Sequence, residues 1–160
     1  MRYLLLDRIT TLSPPTLAKG VKCVSLSDDV FEDHFPGHPV MPGALLIESL
    51  AQLGGVLLEA SMRTHGRSDL HALLVMVDRA RFRKVVRPGD RIELECHVVN
   101  VSEDGGRVRG MVYLDEELAA EAELTFAFAR VTHPKLLARR KEVLDVWLSG
   151  SIQDSGEPTG

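Results

Sequence analysis

Two ionisable side chains, His34 and Glu48, stand fourteen residues apart in DHFPGHPVMPGALLIESLAQ, which otherwise reads as a tight loop running into an apolar helix. Imidazole exchanges protons near neutral pH, and a carboxyl group in apolar surroundings holds its proton longer than in water. The pair therefore has the residue types for a general base and a general acid. Each alone is a weak signal. A loop His is commonly a surface or satisfied core residue, and a Glu in the first two turns of a helix also suits the positive end of the helix dipole. Glu48 has no basic neighbour one turn away, where Ala44, Leu45, Ala51 and Gln52 stand. As a carboxylate it needs a wet pocket, a hydrogen bond or a chemical role. The prolines around His34 and His38 deny those two the helical spacing of a two-His metal site, so no metal is expected.

The elements that must position this pair are visible in the patterning. Residues 43 to about 62 read as a helix with a Leu46, Leu50, Leu53, Leu57 stripe, but Ala44, Leu45, Ile47, Ala51, Val56 and Leu58 spread apolar surface around the rest of it. A helix apolar nearly all round is buried. Gly54 and Gly55 cost helix propensity, so a close backbone approach by sheet or partner is expected there, with simple tolerance as the alternative. The centre of the chain alternates at period two: RIELECHV aligns Ile92, Leu94, Cys96 and Val98, RVRGMVYL aligns Val108, Val112 and Leu114, and LAAEAELTFAF aligns Leu118, Ala120, Ala122, Leu124, Phe126 and Phe128. The short turns SEDGG and LDEE predict antiparallel hairpins. With HALLVMVDRARFRK at 71–84 and extended segments near 3–9 and 19–25, about six strands surround one long helix, an α+β architecture. Pro134 to about residue 148 reads as a terminal amphipathic helix anchored by Trp147, closing a single domain over 1–148; residues 149–160, rich in Gly, Ser, Pro and acid, read as a disordered tail.

Composition narrows the class. The 160 residues suit one domain, and a net charge of −4 gives no general attraction to nucleic acid or anionic membrane. The apolar core of MRYLLLDRITT is too short for a signal peptide or a span, so a cytoplasmic location is expected. Cys23 and Cys96, far apart and without metal-ligand spacing, read as reduced thiols.

The segment HFPGHPVMPGALLIESLAQ resembles the 3-hydroxyacyl-acyl-carrier-protein dehydratases of the FabZ/FabA type, matching their His-Phe-Pro-Gly-x-Pro-x-x-Pro-Gly run and the Glu fourteen residues after that His. LLLDRI at 4–9 is similar to the family's opening strand and VDRARFRKVVRPGD at 77–90 to its third, with the similarity running from 3 to about 130. The resemblance implies a hotdog fold, a long helix wrapped by an antiparallel sheet. It implies dehydration of a 3-hydroxyacyl thioester to a trans-2-enoyl thioester, with His34 as base, Glu48 as acid, and the Gly43 amide polarising the thioester carbonyl at the helix N-terminus. It further implies substrate contacts at Phe35, Pro42, Ala44, Gln52 and Phe82, no cofactor beyond the phosphopantetheine arm of an acyl carrier protein partner, and a homodimer in which His34 and Glu48 come from opposite subunits, with a trimer of dimers as a further assembly. Arg79, Arg81 and Arg83 alternate along one strand, with Lys84 following: either a solvated strand face or a docking patch for an acidic carrier. The departures are Asp33 where many relatives have Gly, Met41 where an aromatic is frequent, no short helix ahead of the opening strand, and the 131–148 extension. They leave a specialised, polyketide-like pathway open beside fatty acid synthesis. A non-catalytic acyl-thioester-binding or scaffold subunit, and a thioesterase, remain the alternative functions.

Overall fold

The computed structural model describes residues 3–153. Six antiparallel strands, β1 (Arg8–Ser13), β2 (Leu17–Cys23), β3 (Leu70–Phe82), β4 (Arg91–Val101), β5 (Gly105–Leu114) and β6 (Glu117–Arg130), form one sheet. A seventh, β7 (Ile152–Gln153), pairs in parallel with β1, giving the order β3-β6-β5-β4-β2-β1-β7. A short helix α1 (Val30–Asp33) precedes the long helix α2 (Gly43–Arg63), and α3 (Pro134–Leu148) follows β6.

The period-two residues face α2. Leu50, Leu53, Leu57 and Leu58 on the helix are fully enclosed against Ile92, Leu94, Cys96, Val108, Val112 and Leu124 of the sheet. The helix is long and apolar enough to cross a membrane, yet it is the core element here, with 67% of its apolar window buried. Of the two glycines, Gly54 carries the close approach: a Cβ there would stand 2.8 Å from Val108 Cγ2, whereas one on Gly55 would meet nothing nearer than Ala72 Cβ at 3.7 Å. The β5–β6 hairpin turns on Asp115 and Glu116, both at positive φ (50° and 66°), the geometry whose twist matches the flanking strands.

The first two strands differ from their expected limits. Residues 3–6 form no regular element; Leu5 and Leu6 are buried by packing, and pairing starts at Arg8, where the chain meets Val21 of β2. An apolar run such as LLL does not distinguish a strand from an irregular segment tucked over a core. The second strand likewise begins at Leu17 and ends at Cys23 rather than running over 19–25. Of the segment expected as a tail, Ser149 caps α3 and Ile152–Gln153 form β7, while residues 154–160 lie outside the described residues.

Candidate active site and the Glu48 cleft

The HFPGHPVMPG loop is held by its own backbone. The Phe35 and His38 main chains exchange hydrogen bonds of 3.1 and 2.9 Å around Gly37, whose φ of 73° completes the turn. The Val40 N–H donates to the His34 carbonyl (3.0 Å), and the His34 Nδ1 lies 2.8 Å from the Val40 carbonyl oxygen. That oxygen only accepts, so Nδ1 carries the proton and Nε2 keeps its lone pair. The Met41 N–H bonds the Val86 carbonyl (2.8 Å), and the Met41 side chain is buried, fixing the loop against the chain beyond β3. The His34 ring stacks on Phe35 at 4.2 Å.

The loop delivers the chain into α2 through Pro42 as N-cap. Gly43, the first helical residue, has an N–H with no acceptor inside the helix. The Phe82 ring lies so close to Gly43 that a Cβ would be 2.7 Å from its Cε1, so any larger residue here would displace that half-exposed ring. Phe35 and Phe82 are about half exposed and Ala44 is exposed, which leaves this end of α2 open to a ligand.

Glu48 stands elsewhere. Five residues beyond Gly43, it points about 140° around the helix, into a cleft of about 400 Å³ lined also by Leu4, Gln52, His71, Val143 and Trp147. His34 is not among the residues that line this cleft. Gln52, expected to contact substrate, is committed within the protein. Its Nε2 donates to Glu48 Oε1 (3.1 Å) and to the Tyr3 carbonyl (3.0 Å), and its Oε1 accepts from the Leu5 N–H (2.9 Å). With both amide protons used, it holds the Glu48 carboxyl and the N-terminal segment over α2 while itself lining the cleft.

The basic strand also differs in detail from its expected alternation. A bulge between Asp78 and Arg81 puts Arg79 at φ 52°. Arg79 and Arg83 pair with Glu123 (3.9 Å) and Glu121 (3.1 Å) of β6, and Lys84 pairs with Glu117. Arg81 shares a small cleft with Arg79, Arg109, Glu121 and Glu123. The β6 acids counter much of the local positive charge, as a solvated strand face would.

Two residues that sequence reasoning passed over matter as much. Glu59, on α2, is only 4% exposed; its Oε1 accepts from the Ala72 N–H (2.9 Å) and its Oε2 from Arg140 Nη2 of α3 (2.8 Å). The signal was present. Glu59 is a second carboxylate in an apolar helix, three turns after Glu48, and Arg140 is the one charge in the Leu136, Arg140, Val143, Trp147 stripe of α3.

A long helix enclosed by one antiparallel sheet, with a loop His and a glycine amide at its N-terminus, defines a hotdog-type protein. Solved structures agree on the fold. The dehydratase heterocomplex ApeI:P from Xenorhabdus doucetiae matches with TM-score 0.67 at 16% identity, over 86% of this chain and 90% of that one. A hot-dog-like protein from Thermanaerovibrio acidaminovorans matches with TM-score 0.60 at 18% identity, over 81% and 91%. The FabA-like domain model matches residues 1–127. Among curated proteins, the chain is 44% identical to the 3-hydroxyacyl-[acyl-carrier-protein] dehydratase FabZ of Pelotomaculum thermopropionicum over 125 residues, 78% of this chain and 87% of that protein. It is 41% identical to the FabZ of Bacillus subtilis, over 78% and 86%. The chain belongs to the FabA-like family.

Proposed function

We propose that this chain dehydrates 3-hydroxyacyl thioesters, carried on the phosphopantetheine arm of an acyl carrier protein, to trans-2-enoyl thioesters in fatty acid biosynthesis. The supporting observation is His34, its Nδ1 proton fixed on the Val40 carbonyl so that Nε2 is the basic atom, in the loop that leads to Gly43 at the start of α2 and in a family whose curated relatives carry that activity in their names. In this reading Nε2 removes the C2 proton and the developing negative charge on the thioester oxygen is met by the Gly43 N–H. The C3–O bond then breaks as Glu48 delivers a proton to the hydroxyl, and water leaves. Proton return from His34 to Glu48 restores the enzyme, with no cofactor consumed.

Glu48 comes from a second copy in this reading. The free edge of β3 presents Leu73, Leu74, Val75, Met76 and Val77 in succession, each 37–61% exposed. Such an apolar, unpaired edge is suited to pairing with another strand, and the homodimer uses it. The carrier docks at the Arg79 to Lys84 stretch, where its acids compete with Glu121 and Glu123 for the arginines, and the reaction proceeds in the cytoplasm.

The test combines two variants. His34→Ala loses one loop hydrogen bond but keeps the fold, and abolishes dehydration of 3-hydroxyacyl carrier protein followed by mass. Glu48→Gln still accepts from Gln52 and falls in rate by ~10²-fold or more. After subunit exchange the mixture regains activity, because half the sites of a heterodimer combine wild-type His34 with wild-type Glu48. Full activity in either single variant ends the mechanism and leaves a binding or scaffold subunit; dead variants that never complement after verified exchange end the shared site.

A further inference from the structure

The family match ends at residue 127, yet the cleft around Glu48 is closed by α3, which begins at Pro134. Leu136, Arg140, Val143 and Trp147, at spacings of four, three and four, fall on one stripe of α3, and all four line that cleft. Three are apolar; the fourth, Arg140, is turned to Glu59 and so is not a free charge in the cavity. Trp147 is buried and its Nε1 donates to the Leu6 carbonyl (2.9 Å), so the far end of the helix is pinned as well. With Leu4, the stripe supplies apolar surface to the cleft; exposed Arg139 also lines it from α3, and Glu48, Gln52 and His71 supply the other polar groups.

We propose that α3 is the acyl-chain wall of the site: Leu136 and Val143 limit how long a 3-hydroxyacyl chain fits once its hydroxyl reaches Glu48. This rests on the reading of Glu48 as the acid. The cleft volume of about 400 Å³ lies at the small end of the ~300–1,000 Å³ usual for ligand sites, so side chains added to or removed from its wall change its capacity appreciably. Arg140 and Trp147 act as positioning residues that hold the wall in place.

The experiment compares kcat/KM for 3-hydroxybutyryl and 3-hydroxydecanoyl pantetheine thioesters in wild type, Leu136→Ala, Val143→Ala and Val143→Phe. Leu136 is exposed and Val143 half-buried, so the alanine variants fold. The long-to-short ratio rises by roughly tenfold in the alanine variants and falls by roughly tenfold in Val143→Phe, the scale by which hydrophobic pockets discriminate. The ratio is independent of the fraction of folded enzyme, so a purely structural role of α3 leaves it unmoved. An unchanged ratio in both alanine variants overturns the proposal. If wild type dehydrates neither thioester, the dehydratase reading fails separately, and the same length comparison is made on calorimetric binding of non-reactive butyl and decyl pantetheine thioethers. A length-dependent change of affinity in the variants then supports the wall, and equal changes for both lengths overturn it.

Discussion

Removing the cation from a carboxylate that is almost fully buried should cost α3 much of its hold on the core. In Arg140→Met the aliphatic stem still packs over α2, but Glu59, 4% exposed, loses the 2.8 Å bond to Oε2 and keeps only the Ala72 N–H. Breaking a fully buried pair by deleting one partner costs ~3–5 kcal/mol. The Arg140 side chain is 33% exposed, so water replaces part of the lost interaction and the expected cost is nearer ~2–3 kcal/mol. For a chain of this length, where each kcal/mol shifts the midpoint by ~2–4 °C, that is a fall in Tm of about 5–10 °C. The melts must be run at one protein concentration, because assembly links Tm to concentration. Neutralising the stranded acid as well, in Glu59→Gln/Arg140→Met, recovers at least about 1 kcal/mol relative to Arg140→Met alone. An Arg140→Met protein within ~0.5 kcal/mol of wild type, the range of ordinary surface changes, would refute the view that this pair holds α3.

Gly55→Ala should stabilise the protein by roughly 0.5–1 kcal/mol, since its Cβ enters ordinary contact at 3.7 Å, while Gly54→Ala should destabilise it against the stiff Val108 side chain 2.8 Å away; chemical denaturation reads both, and equal signs would contradict the packing described. Burial raises the Cys96 thiol well above its ordinary value of 9.0, with the Glu95 charge adding to the effect. Above about pH 9 the unfolded chain therefore ionises where the folded one does not, and stability falls by up to ~1.4 kcal/mol per pH unit. A Cys96→Ala variant should lose that component of the slope, and an unchanged slope in denaturant titrations between pH 8 and pH 10 would count against it.

The sequence by itself determined the elements whose signal is local. The period-two runs placed β4, β5 and β6 because alternate side chains must face a core, and the all-round apolarity of 43–62 marked a helix enclosed by that sheet. The His34 to Gly43 run was equally legible, because its prolines and glycines fix backbone geometry residue by residue. What those local rules could not reach was decided by contacts across the chain. Leu4 to Leu6 pack without pairing because α3 and the Gln52 amide cover them, and Gln52 holds Glu48 because Tyr3 and Leu5 come back over α2. Glu59 is tolerable in the core only because Arg140, 81 residues later, returns to it. About 140° of helical rotation separates Glu48 from Gly43, so the carboxyl faces a different side of α2 from the residue that ends the His34 loop. A buried polar group is explained by its partner, and that partner is chosen by the fold rather than by sequence neighbours.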